Sequence, residues 1–180
     1  TSGVEDEVDL HGGTFAKAFG TFGGYVCGPK KVLDYVKHVS PGFMLTKALP
    51  GSITAATRVT LRLMQEKPER RKRLWDNLNT LRDGLRAGGF DIGNPQGAVT
   101  SIFTRGMTAL QAVRRLQVKH RIIVNAVMYP AVPYGTSIVR ITASALHTKE
   151  HMERLVDAIN DVAKEVPLHE GNMAAVRKAV

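Results

Sequence analysis

The chain has 180 residues, enough for one domain of ordinary size, and 43% of them are hydrophobic, enough to pack a core. No apolar run approaches the length of a membrane span and no charged-then-apolar signal segment opens the chain; one cysteine, Cys27, excludes an intrachain disulfide framework and fits a reducing cytoplasm. The net charge of +9 raises nucleic-acid binding, with Lys67, Arg70, Arg71, Lys72 and Arg73 as its best support, but no aromatic residues interleave with that run and no zinc-finger or RNA-recognition motif accompanies it. The run opens a helical segment, so a solvated face is expected.

In chain order, the acidic stretch Glu5, Asp6, Glu7, Asp9 leads into a short expected strand at Val8–Leu10, and glycines bound a second at Gly24–Cys27. That strand is expected to bury Cys27 as an inert core thiol. Pro29 opens a helix with Val32, Leu33, Tyr35 and Val36 on its apolar side, and Pro41-Gly42 breaks it. Pro50-Gly51-Ser52 begins the next helix, with Ser52 as a candidate N-cap. Leu74, Leu78, Leu81 and Leu85 form one helical stripe ended by Gly88-Gly89. The stripe is too short for a coiled-coil seam and predicts packing on the protein's own core, with Trp75 beside it at the core or an interface. From Phe90 the pattern changes: short apolar runs (Val99–Phe103, Ile122–Val127, Ile138–Thr142) alternate with helix-like segments (Thr108–Lys119, Thr148–Val166), which predicts a small α/β domain. Thr148 caps the last helix, whose apolar stripe is Met152, Leu155, Val156, Ile159 and Val162, and His169–Val180 reads as a tail.

The chemistry concentrates in Gly13-Thr14-Phe15-Ala16-Lys17-Ala18-Phe19-Gly20, followed by Gly23-Gly24-Tyr25-Val26. A lone lysine among small residues suits an amine that forms an imine, since an amine attacks a carbonyl only once it has lost its proton. Small neighbours leave room for a flat cofactor, and the Thr14 hydroxyl with the N–H groups of a Gly-rich turn could hold a phosphate. Histidines raise other chemistry. His147-Thr148-Lys149-Glu150-His151 fits the inverted zinc-protease word His-x-x-Glu-His, but nothing else supports a zinc site, so no metal is expected. Gly20-Thr21-Phe22-Gly23-Gly24 lacks the strand-turn-helix context of a dinucleotide fingerprint.

The string from Val8 to Gly28 resembles the Schiff-base segment of the α-oxoamine synthases, pyridoxal-phosphate enzymes of the aspartate-aminotransferase fold type. That family includes serine palmitoyltransferase, 8-amino-7-oxononanoate synthase, 2-amino-3-ketobutyrate CoA ligase and 5-aminolevulinate synthase. The resemblance implies that Lys17 binds pyridoxal 5'-phosphate as an imine and that Thr14 helps hold its phosphate. Phe43-Met44-Leu45-Thr46-Lys47-Ala48-Leu49-Pro50 resembles a later segment whose first threonine, here Thr46, reaches the phosphate bound in the partner subunit of a homodimer; Lys47 departs from the usual small polar residue. Val132-Pro133-Tyr134-Gly135, with Arg140 and His147-Thr148 behind it, resembles a third segment, and Arg140 matches the arginine that binds the amino-acid carboxylate. A planar guanidinium pairs two-pronged with a carboxylate. Asp91-Ile92-Gly93-Asn94 followed by Val99-Thr100 resembles serine palmitoyltransferase-like members.

The resemblance implies an α/β fold: the end of a fold-type-I cofactor-binding large domain over residues 1–89, then a small C-terminal α/β domain over 90–180. It implies a decarboxylating condensation of an amino acid with an acyl-CoA. The family's aspartate for the pyridine nitrogen lies further upstream than Asp6 or Asp9, so the chain is expected to be the C-terminal portion of an enzyme, not competent alone. Two other readings stand beside this one: a non-catalytic subunit or fragment, which an intact Lys17 argues against, and an aminotransferase of the same fold.

Overall fold

A computed structural model describes residues 3–169. The chain divides into two compact units, Thr1–Pro68 and Glu69–Val180, whereas the sequence division was drawn at residue 89.

In the first unit a 3-10 turn at Glu5–Glu7 precedes β1 (His11–Thr14) and β2 (Gly24–Cys27), an antiparallel hairpin in the register His11↔Cys27 to Thr14↔Gly24. The expected strand at Val8–Leu10 is corrected to His11–Thr14: the four residues of β2 pair with the four that flank the connecting loop, while the acidic run turns upon itself. Helix α1 (Lys30–Val39) starts after Pro29. Ser40 ends it and also caps α2 (Pro41–Leu45), its hydroxyl accepting from the Phe43 N–H at 3.4 Å, so Pro41-Gly42 both breaks one helix and begins another. Helix α3 (Gly51–Glu66) has Pro50 at its N-cap position, which places Ser52 inside the first turn and corrects its expected capping role. Cys27 is exposed, not buried, because neither face of its two-stranded ribbon is covered.

The second unit opens with α4 (Pro68–Ala87), then β3 (Val99–Arg105), α5 (Thr108–His120), β4 (Asn125–Met128), β5 (Thr136–Thr142) and α6 (Lys149–Val162). The leucine stripe behaves as its spacing predicts: Leu78, Leu81 and Leu85 are fully buried and Leu74 packs beside them. Each such leucine contributes about 1.5–3 kcal/mol. The helix ends in a Schellman motif. Phe90 N–H reaches Leu85 C=O, Gly89 N–H reaches Arg86 C=O, and Gly89 supplies the φ of 76° that this reversal requires. Phe90 is buried beyond the turn, and the His169 ring stacks on it at 4.5 Å, so the expected tail is anchored at its first residue; residues 170–180 lie outside those described.

The sheet order is β3-β5-β4, with β5 antiparallel to both neighbours. Burial alternates along β3 and β5, so Thr100, Ile102, Thr104, Ser137, Val139 and Ile141 face the core with α4, α5 and α6. Strand β4 starts at Asn125, later than the apolar run Ile122–Val127, because Arg121 closes α5 in a left-handed conformation (φ 57°) and Ile122–Val124 lead back to the sheet. Thr148 caps α6 in a capping box with His151.

Two polar features were not anticipated. Arg82 is buried, its Nε donating to Thr100 Oγ1 at 3.1 Å and its Nη2 to Gly97 C=O; burial, then the charge of Arg86, lowers its pKa. Its guanidinium lies 5.7 Å from the Trp75 ring, and Trp75 remains 38% exposed, which removes the core from the two expected places, core or interface. Between α5 and α6, Lys119 bonds Asp161 at 2.7 Å and Glu165 at 3.0 Å. Those bonds hold both carboxyls below their ordinary pKa and raise that of Lys119.

Candidate active site

The loop from Phe15 to Gly23 carries Lys17. Its neck is fixed by Phe15 N–H to Gly23 C=O (2.9 Å) and Thr21 N–H to Phe15 C=O (3.0 Å), and the turn around Lys17 is closed by Gly20 N–H to Lys17 C=O (3.0 Å). Phe15 stacks edge-on against Phe19 at 5.1 Å and lies 5.5 Å from Tyr25, giving the loop a small aromatic base. Two further contacts brace it: the hydroxyls of Thr21 and Thr57 on α3 lie 2.9 Å apart, and Leu49 abuts Gly23, where a Cβ would stand 2.6 Å from the leucine methyl and φ is 96°. The glycine at 23 is therefore a requirement of the loop.

Lys17 is exposed, and its ammonium makes no hydrogen bond or ion pair among the described residues. The adjoining N–H groups of Lys17, Ala18 and Phe19 have no acceptor among the described residues. A free primary amine beside unclaimed N–H donors is a donor set that fits an anionic aldehyde such as pyridoxal phosphate. The Thr14 hydroxyl is engaged within the loop, accepting from Ala16 N–H at 3.1 Å and donating to Gly23 C=O at a long 3.3 Å. Holding a phosphate through this O–H exchanges the weaker of those bonds. Thr46 follows α2 as its C-terminal cap, exposed and in extended conformation, on the segment that ends at Leu49 and Pro50. Thr14, Lys17 and Thr46 thus all belong to the first unit, with Thr14 and Lys17 on one hairpin loop.

Arg140 belongs to the second unit. It sits on β5, opposite Ser101 of β3 and Asn125 of β4, on the sheet face away from the helices. Its guanidinium is exposed and makes no ion pair or hydrogen bond among the described residues, so the structural ion pair that could have explained a strand arginine is absent there. His147 accepts Ser144 N–H on Nδ1 at 3.2 Å. Asn77 of α4, which the sequence did not single out, donates to Ser144 C=O at 3.0 Å and His147 C=O at 2.8 Å, fixing the segment that follows the arginine strand. An asparagine inside an amphipathic helix gives no local signal of that reach. Among the described residues no cluster of three metal-ligating side chains occurs, and no helix is long and apolar enough to cross a membrane.

The aminotransferase class I and II family profile matches residues 1–159. A cysteate-C-fatty acyltransferase of Capnocytophaga ochracea is 36% identical over 166 residues, covering 91% of this chain and 40% of that protein. An 8-amino-7-oxononanoate synthase of Methylococcus capsulatus is 38% identical over 160 residues, covering 88% and 41%. Among solved structures, a serine palmitoyltransferase with a pyridoxal phosphate internal aldimine superposes with a TM-score of 0.85 at 28% identity, covering 92% of this chain and 42% of that one. The chain therefore spans about two fifths of the length of the relatives it matches.

Proposed function

Because the chain belongs to the aminotransferase class I and II family, and its similar relatives are acyl-transferring members, we propose that it is the C-terminal part of a pyridoxal-phosphate-dependent α-oxoamine synthase. The reaction is the decarboxylating condensation of an amino acid with an acyl-CoA. The observation that carries this reading is the unpaired Lys17 amine on a braced, Gly-bounded loop with free N–H donors beside it. In this reading residues 1–89 close the cofactor-binding large domain and residues 90–180 form the small domain.

Lys17 holds the cofactor covalently through Nζ, and Thr14 with the loop N–H groups holds its phosphate. Bound there, pyridoxal phosphate supplies an electron sink for the carbanion formed at the amino-acid Cα. The Lys17 amine would also be the group to take and return the Cα proton. Arg140 would hold the substrate carboxylate two-pronged. Thr46 contacts the phosphate of a partner subunit, which makes the enzyme a homodimer with shared active sites in the cytoplasm. The first relative's name supports a fatty acyl donor and an acidic amino acid, and the second names an amino ketone, the class of product this condensation gives.

The test uses the full-length protein. Borohydride reduction and peptide mapping should place a pyridoxyl group on Lys17, and a thiol-release assay across amino acids and acyl-CoAs should show CoA liberation. A cofactor absorbance band that survives Lys17→Ala unchanged would overturn the assignment. Amino transfer to a keto acid without thiol release would make the protein an aminotransferase of the same fold.

A further inference from the structure

A cavity of about 330 Å³ lies within the second unit, where β5 runs into α6. Ile141, Met152 and Leu155 give it an apolar lining, and His147, His151 and Arg154 supply its polar groups. We propose that this cavity is a binding site for a monocarboxylate with a short hydrocarbon chain, separate from the reaction assigned above.

The polar groups select an anion. His147 Nδ1 accepts the Ser144 N–H and His151 Nδ1 accepts the Thr148 N–H, each at 3.2 Å. A backbone N–H can only donate, so each ring keeps its proton on Nε2 and offers a donor there. The Arg154 guanidinium spends Nη2 on His120 C=O at 2.9 Å and retains its other N–H groups. Donors therefore outnumber acceptors among the polar lining side chains, and the same hydrogen bonds occupy one nitrogen of each imidazole that a metal would need.

The size and lining select the rest of the ligand. The volume sits at the small end of the roughly 300–1,000 Å³ typical of ligand pockets, whose walls are mostly apolar with a few placed polar groups. One guanidinium balances one carboxylate, whereas a phosphate dianion would bring a second charge that no other lining cation meets. Ile123 also lines the cavity and is 82% exposed, apolar surface that a hydrocarbon chain would cover. The walls are held in place: Asn77 clamps the Ser144 and His147 carbonyls, and the capping box fixes His151.

Octanoate titrated into the full-length protein, followed by methyl NMR of the isoleucines and methionines and by calorimetry, tests the site. Octanoate should bind saturably and shift the Ile141 and Met152 methyls, and it should do so without altering cofactor absorbance. 1-Octanol and inorganic phosphate should each bind at least about tenfold more weakly, a difference of about 1.4 kcal/mol. Arg154→Met should weaken octanoate by a similar factor. If that variant does not fold, His151→Glu carries the comparison, since glutamate preserves a capping box and offers no donor. No saturable shift at millimolar octanoate, as when another part of the protein fills the cavity, overturns the proposal. So does equal binding of octanol, tighter binding of phosphate, or indifference to both substitutions.

Discussion

From Gly3 to Pro68 no described side chain is buried, although Tyr35, Phe43, Met44 and Leu45 expose 68, 57, 64 and 85% of their surface. From Glu69 onward the same kinds of residue make a closed core in which Leu78, Leu81, Leu85, Ile102, Leu116 and Ile159 are wholly covered. Both regions form helices and strands, so the contrast concerns what specifies them. In the first, local devices act: proline at helix starts, Ser40 between two helices, glycines in a hairpin loop. In the second, a periodic apolar face and a capping box agree with a common interior. Short helices and lone hairpins are marginal in water, so the apolar faces of the first region are surfaces made to be covered. In the proposed enzyme the remainder of the large domain covers them. The proposed reactive groups divide the same way: the Lys17 amine rides on the uncovered region and the Arg140 guanidinium on the packed one.

The contrast can be attacked first through chemistry. Lys17→Ala in the full-length enzyme should reduce CoA release by at least about 100-fold, the scale of losing a positioned proton-transfer group, while leaving the urea midpoint nearly unchanged. Next comes stability: Leu81→Ala should cost about 2–5 kcal/mol in urea unfolding of this chain, whereas Leu45→Ala should stay within about 0.5 kcal/mol. Equal losses would break the division between covered and uncovered regions. Thr148→Ala, which removes a cap from the packed region, should cost about 1 kcal/mol in the same assay.

The smallest effect is a pH dependence. The folded-state pKa values of Asp161 and Glu165 are depressed by Lys119, so their contribution is present above the ordinary carboxylate range and is lost as pH falls through the depressed values, below about pH 4. The raised pKa of Lys119 sets the opposite limit, with loss only as pH climbs past about 10. Lys119→Met should flatten the acid limb of a urea-midpoint profile and leave neutral pH little changed.

Features written in neighbouring residues were legible. The four-three-four leucine spacing, the Thr148 cap and the Gly88-Gly89 stop each follow from one turn of helix geometry. Features set by distant partners were not. Strand β1 begins at His11 because β2 pairs there, and Cys27 is exposed because no described residue buries its ribbon. Arg82 looks like a solvent residue until the loop carrying Gly97 accepts its N–H. His169 lies beyond the last helix yet stacks on Phe90, a contact no local window contains. At the candidate site, residue types pointed to Lys17 and Thr14 and the family resemblance to Thr46 and Arg140, whereas the clamp from Asn77 depends on where α4 packs.

The middle position of β5 has one more effect. Hydrogen-bonded ladders on both edges mean that Arg140 cannot shift its backbone without tearing two seams at once, whereas the loop of Lys17 has no ladder through it and is held by single bonds at its neck and turn and by the contacts with Thr57 and Leu49. In the proposed reaction the carboxylate's anchor is stitched along both sides, and the amine's is pinned at points.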